Sequence, residues 1–337
     1  MPERIIRSLC YFAAVPGERE YDRLQQLAGR LRNAGWLIQT LRVAGHSCPV
    51  ETLALRFGKS ELLAGTGSFD RDTIKDQYAD FMEAENISMN LEISDRVTSE
   101  DVDLLFRMID EKADRSFLFS YTFCNAKHSP FFPAAHAERS GFSIGLQPTN
   151  LAEDCNSLHT WLFRMKEAWT ELLHLFEEEK DFIGIDSSVA PMYNGHGSLV
   201  HMIRRICGDF STAVTSDVFV NISRFIREEN PRPAGLNGIM FPCLEDFELA
   251  DEYELGHFSI ERNIFLSLHS GLGIDTYPIG LDEKPDRVRQ ILNLLLALAR
   301  KYQKPLSARF ISDGMSKTGE RSNFRNQYLK DVIIRHL

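Results

Sequence analysis

Short apolar runs alternating with amphipathic helical stretches restrict the fold of this 337-residue chain more than any other feature. Ile5 to Ala13 reads as a strand. Glu18 to Gly35 then sets Tyr21, Leu24, Leu27 and Leu31 at three- and four-residue steps and ends on glycine as a helix C-cap. Trp36 to Val43 alternates apolar and polar residues like a second strand. Strand, helix and strand joined by short turns is the βαβ unit, which favours parallel pairing. The pattern continues with a helix begun at Ser99 and strands at Ser116 to Phe123, Phe182 to Asp186, Ile239 to Cys243, Ile274 to Pro278 and Leu306 to Ile311. Helices fall between them at about Leu151 to Lys180, Ser198 to Cys207, Val214 to Glu229 and Asp286 to Tyr302. An α/β fold in a single domain over residues 1–337 follows, because no low-complexity linker marks a boundary. The stretch Asn125 to Pro148 stands apart: Pro130, Pro133, Gly141, Gly145 and Pro148 break any long helix and leave room only for a short strand at Phe142 to Leu146. Long irregular loops of this kind often carry function.

Charge narrows the partners. A formal charge of -10 and a pI near 5.5, with no basic stripe, argue against a nucleic-acid partner, since phosphate binding needs a positive surface. The acidic run Glu177, Glu178, Glu179 reads as the solvated face of a helix. No apolar stretch reaches the roughly 18 residues of a membrane span, and the N-terminal run is expected to be a first strand, not a signal peptide. Cysteines at 10, 48, 124, 155, 207 and 243 form no metal-binding spacing and read as reduced thiols, which points to the cytoplasm.

Ligands of α/β sheets bind where strands stop and loops begin, at the carboxyl ends. Asp186 follows the run FIGI and precedes Ser187; Glu245 and Asp246 follow GIMFPCL; Asp275 lies inside the strand at 274–278; Arg309 and the loop from Asp313 to Gly319 come from the last strand. These segments are expected to deliver polar groups to one rim. The loop SDGMSKTGERSNF, with Lys317, Arg321 and Gly319, reads either as an anion-holding loop or as a solvated one. Asn125, His128, His136 and Glu138 offer proton transfer or substrate contacts, but their spacing matches no zinc motif and no metal is assigned. No phosphate-binding G-x-x-x-x-G-K-[ST] loop and no G-x-S-x-G elbow occur, and the GTGS of Gly65 to Ser68 reads as a turn.

Five segments in order, NAKHSPFFPAAHAERSGFSIGL, FIGIDSSVAP, AGLNGIMFPCLED, GLGIDTYPIG and KPLSARFISDGMSKTGERSNF, resemble the pyruvate formate-lyase-like family of unknown function (DUF711) over about residues 115–325. The resemblance implies a ten-stranded α/β barrel of the glycyl-radical-enzyme type. It does not imply radical chemistry, because no glycine follows Gly319. It also implies polar site positions at Asn125, Asp186, Ser187, Glu245, Asp246, Asp275, Arg309, Lys317 and Gly319. The stretch ICGDFSTAVTSDVF departs from the glycine- and threonine-rich run that related sequences carry after the IDSSVAP segment.

The expected function is an enzyme acting on a small anionic metabolite by carboxylate acid/base chemistry, as a lyase, isomerase or hydrolase. Asp186, Glu245, Asp246 and Asp275 are the catalytic candidates. Asn125, His128, Ser187, Arg309, Lys317 and Gly319 are the substrate-binding candidates, with Arg309 and Lys317 clamping the anion. No cofactor is assigned. A non-catalytic sensor and a subunit of a homo-oligomer are the alternatives. The four residues Asp186, Glu245, Asp275 and Arg309 must converge on one cavity for the shared-site reading to hold.

Overall fold

The apolar runs pair into one mixed α/β sheet of ten strands in the computed structural model, which describes residues 2–337. In chain order the elements are β1 (Ile5–Phe12), α1 (Glu18–Asn33), β2 (Leu37–Ile38), β3 (Leu41–Ala44), α2 (Val50–Phe57), β4 (Leu63–Phe69), α3 (Arg71–Glu83), β5 (Ile87–Glu92) and α4 (Ser99–Lys112). Then follow β6 (Phe119–Phe123), β7 (Gly141–Leu146), α5 (Leu158–Leu175), β8 (Phe182–Asp186), α6 (Leu199–Cys207), α7 (Phe210–Val214) and α8 (Val218–Glu229). The chain ends with α9 (Phe247–Glu254), α10 (Ile260–His269), β9 (Gly273–Pro278), α11 (Pro285–Tyr302) and β10 (Leu306–Ile311). Side chains of Asp70, Thr98, Ser157, Ser198, Asp209, Asp246 and Ser259 accept backbone N–H groups at the helix starts they precede, which sets where those helices begin.

The sheet runs β8-β7-β1-β3-β4-β5-β6-β10-β9, with β2 beside the start of β1. Two of its pairings, β1 with β7 and β6 with β10, are antiparallel, and all the others are parallel. The first parallel block, β1 to β6, and the block formed by β7 to β10 therefore point in opposite directions. One end of the sheet collects the amino ends of the first block and the carboxyl ends of the second. Between the edge strands lies the segment 232–243, which accepts or donates backbone hydrogen bonds at Ile185, Val189, Leu272 and Asp275. Its isolated parallel bridges are Ile185 to Pro233, Val189 to Ile239, Ile239 to Gly271 and Pro242 to Asp275. The edges are thereby covered instead of left open to pairing with other chains.

Each strand turns alternate residues to two different surroundings. Ile87, Met89 and Leu91 of β5 join the main apolar core, which also takes Leu24, Leu27 and Leu31 of α1 and Leu292 and Leu295 of α11. The polar side chains on the opposite faces are engaged by the loop between β6 and β7, which packs against that side of the sheet. Ser8 donates to the Pro130 carbonyl at 2.8 Å, Asn90 to Pro133 at 3.0 Å and Ser143 to His128 at 2.8 Å. A buried loop leaves its backbone groups without water, and these side chains satisfy them. Gly65 and Gly145 give the loop its space. A Cβ at Gly65 would lie 3.1 Å from the Phe132 ring, and one at Gly145 would lie 2.9 Å from the Phe131 ring and from Pro130.

Several sequence expectations change. GTGS is not a turn but the middle of β4, where Gly67 at φ +85° marks a register shift against β5. The strand expected at 36–43 is split into β2 and β3 around Thr40, whose hydroxyl donates to the Arg7 carbonyl. Thr98, not Ser99, caps α4. The long helix expected at 151–180 is shorter, because Ser157 caps it at Leu158. The helix expected at 214–229 begins only at Val218, as α8, and Val214 instead ends the short α7. The 239–243 run makes only isolated bridges, Pro242 having no N–H to contribute to a regular ladder. Among the described residues no helix is long and apolar enough to cross a membrane.

Candidate functional site

Where the amino ends of β1, β3, β4 and β5 meet the carboxyl ends of the second block, a cavity of about 140 Å³ opens. Its charged lining is three arginines, Arg7, Arg42 and Arg309, and two acids, Glu245 and Asp275. Phe131, Phe132 and Pro133 at the tip of the inserted loop, Phe117, Met240 and Tyr328 supply apolar wall. A wider groove of about 930 Å³ shares Leu63, Asn86, Phe117, Leu118 and Tyr328 with the cavity and leads to it from outside. Tyr328, from the irregular C-terminal segment, stacks on Phe117 at 6.3 Å with 7° between the rings.

Arg309 holds the acidic side together. Its Nε donates to Asp275 Oδ1 at 2.7 Å and its Nη2 to Glu245 Oε2 at 2.7 Å, while its guanidinium lies 5.1 Å from the Phe117 ring centre. Burial alone would lower its pKa, but the two carboxylates outweigh burial and raise it. One oxygen of each acid, Glu245 Oε1 and Asp275 Oδ2, takes no donor among the described residues. The acidic side thus keeps two free acceptors facing a cavity.

The basic side is arranged differently. Arg7 is 8% exposed, and among the described residues its guanidinium donates to no acceptor and pairs with no acid. Arg42, 6% exposed, donates from Nε to the Thr40 hydroxyl at 3.0 Å and from Nη1 to the Pro130 carbonyl at 3.4 Å, and lies over the Phe132 ring at 4.8 Å. Burial lowers the pKa of both; Glu245 pulls Arg7 back up, and Arg7 adds to the lowering of Arg42. Two buried guanidinium groups without a carboxylate partner are costly unless an anion reaches them. Neither residue was among the candidates read from the sequence. Both stand near the starts of strands, whereas the carboxyl-end rule directs attention to strand ends. A buried arginine within an apolar strand run was the one available signal.

The structure brings Glu245, Asp275 and Arg309 into this cavity and leaves Asp186 outside it. Asp186 accepts five hydrogen bonds, from the Ser129 hydroxyl, the Ser188 N–H and hydroxyl, and the N–H groups of Leu236 and Asn237. Burial raises its pKa against the pull of these donors. The carboxylate ties the inserted loop to β8 and the 235–238 turn, and its lone pairs are occupied. Asp186→Asn should therefore cost about 2–3 kcal/mol of stability, the scale of hydrogen bonds to a charged group, measured by urea unfolding. Anion affinity of the folded fraction should not change; a large loss of affinity at full stability would return Asp186 to the site.

The other candidates also have structural partners. Asp246 caps α9 through the N–H groups of Glu248 and Leu249 and accepts from Leu199 N at the start of α6; burial pushes its carboxyl up to about 7. The Ser187 hydroxyl accepts from Trp169 Nε1 at 2.7 Å. Asn125 donates to the Ser68 hydroxyl and the Ala134 carbonyl. Lys317 is exposed, its N–H bonded to Glu320, and Gly319 is exposed beside it; neither lines the cavity, so Lys317 does not face Arg309 across an anion.

The histidines of the inserted loop serve its folding. His128 Nε2 accepts from the N–H groups of Glu138 and Arg139, and His136 Nδ1 accepts from Ser68 N–H. An accepting nitrogen must carry no proton. Burial lowers both pKa values, and for His136 burial, followed by His46 and His128, brings it to about 4. A depressed histidine pKa means the unfolded chain binds more protons, so this stability is present above the usual value near 6.5 and is lost as pH falls toward 4. The urea midpoint should drop over that window, and the drop should shrink in His136→Gln. An unchanged slope in that variant would place the acid sensitivity elsewhere. Among the described residues no group of three or more His, Cys, Asp or Glu is arranged to hold a metal ion.

A family model described as "Uncharacterised ACR (DUF711)" matches residues 108–325. No curated protein matches the chain.

Proposed function

The chain belongs to the uncharacterised DUF711 family, and with no chemistry to inherit from that membership we propose that it is an enzyme acting on a small anionic metabolite by non-radical acid/base chemistry. The observation that carries the reading is Arg7, buried, lining the cavity and hydrogen-bonded to no acid among the described residues. Arg7 and Arg42 hold the substrate's anionic group. The free oxygens of Glu245 and Asp275 accept and return a proton on the substrate, and Arg309 orients both carboxylates. A carboxylate pair on one guanidinium, facing an anion held at fixed distance, suits proton abstraction followed by elimination or re-protonation. That is lyase or isomerase chemistry, with lyase first.

We read the sheet as a closed barrel of the glycyl-radical-enzyme type without the radical glycine. The bridges of the 232–243 segment to both edge strands support it, as does the way β2 and β3 together form one line beside β1. Six cysteines without a disulfide suit a cytoplasmic location.

The test is incubation of purified protein with a metabolite mixture, read by mass spectrometry, beside Glu245→Gln and Asp275→Asn. Consumption of an anionic metabolite by the wild type, lost by at least a hundredfold in either variant, supports the enzyme. Retention of a metabolite without consumption replaces it with a sensor. Consumption that both variants preserve removes the acid/base assignment.

A further inference from the structure

Resting on the anion-site reading above, we propose that the ligand is a compact monocarboxylate, one carboxylate on an apolar body about the size of a single six-membered ring. Size comes first. The cavity of about 140 Å³ is close to the cavity of about 150 Å³ in an engineered protein that takes one benzene molecule. A nucleotide or a sugar phosphate would have to extend out of it into the adjoining groove, whereas a ring or a branched chain of similar bulk fits within it.

Charge comes second. Arg309 is occupied by Glu245 and Asp275, so that trio carries one negative charge. Arg7 and Arg42 carry two positive charges, and neither donates to an acid among the described residues. The lining as a whole is one positive charge in excess. A monoanion brings the buried site to neutrality. A dianion, such as a phosphate monoester or a dicarboxylate, leaves an uncompensated negative charge beside two carboxylates, and an uncompensated buried charge is strongly disfavoured.

Shape and lining come third. The planar guanidinium fork matches the two oxygens of a carboxylate, and Arg7 and Arg42 both line the cavity, Arg7 with its whole fork and Arg42 with its Nη2 engaged by no acceptor among the described residues. The remaining wall is aromatic and apolar, from Phe117, Phe131, Phe132, Tyr328 and Met240. Aromatic side chains favour offset or edge contacts with a planar ligand. The lining therefore offers guanidinium groups for the ligand's carboxylate, apolar wall for its body, and the Glu245 and Asp275 carboxylates for its reacting carbon. A monocarboxylate with an apolar body is the simplest molecule that satisfies all three.

The experiment compares three probes of one size on the full-length wild type by calorimetry at pH 8. The probes are benzoate, phenyl phosphate, which is dianionic there, and the neutral benzyl alcohol. Benzoate should bind at least tenfold more tightly than either of the others, and Arg7→Met and Arg42→Met should each weaken benzoate by at least tenfold. Arginine-dependent binding in which phenyl phosphate equals or exceeds benzoate overturns the monocarboxylate and leaves the anion site standing. Binding that ignores both arginine substitutions, or no binding of any probe, overturns the anion site itself. The probe ranking is measured on the wild type alone, so it survives a variant that fails to fold.

Discussion

Replacing Arg309 by methionine should lower the stability of the protein by about 3–5 kcal/mol, the usual cost of removing one partner from a buried ion pair. Arg309 is buried, and both of its partners lose their counter-charge together. Glu245, 9% exposed at the side chain, and Asp275, 20% exposed, would be left on the same side of the cavity with no cation holding them. Arg7 is the nearest replacement, but no hydrogen bond joins it to either acid. Urea unfolding monitored by tryptophan fluorescence reads the change, since Trp161 and Trp169 are fully buried. Combining Arg309→Met with Glu245→Gln and Asp275→Asn should recover most of the loss, because the neutral side chains no longer need a counter-charge. A loss below about 1 kcal/mol would equal that of an exposed ion pair and would show that water, not Arg309, solvates the two acids.

Arg7→Met should have the opposite sign in the absence of ligand. A buried guanidinium without a partner destabilises the free protein, so an apolar side chain of similar length should raise stability by about 1–3 kcal/mol, in the range found when buried charges are replaced by hydrophobic residues. The same change should abolish anion binding. A ligand at a hundred times its dissociation constant stabilises the native state by about 2.7 kcal/mol, which only the wild type would receive. The order of the two melting temperatures should therefore reverse, or the gap close, when saturating benzoate is added. Sites that bind charged ligands commonly carry this trade between stability and function. If Arg7→Met destabilises the ligand-free protein as a core truncation does, Arg7 is a packing residue and the anion site loses its principal support.

Much of the element pattern was legible along the chain because apolar periodicity reports burial directly. β1, β8, β9, β10, α6 and α11 lie within a residue or two of where periodicity places them. GTGS was misread because glycine in a strand is uncommon unless another segment packs against its backbone; here Phe132 packs against Gly65, and the Gly45 and Ser47 backbone against Gly67. Asp186 and Asp246 looked catalytic for a reason that holds for many acids after strands: a carboxylate there also caps helices and ties turns, and only its partners tell the two uses apart.

By itself the sequence determined the α/β class, the acidic net charge, the irregular 125–148 stretch and three residues that line the cavity, Glu245, Asp275 and Arg309. The tertiary structure alone decided which end of the first strands those residues would meet. The antiparallel pairings of β1 with β7 and β6 with β10 turn the first block over. The carboxyl ends of the later strands therefore share a rim with the amino ends of the earlier ones. Arg7 and Arg42 reach the cavity through that inversion, which is a property of strand pairing between distant segments and leaves no local mark on the residues themselves.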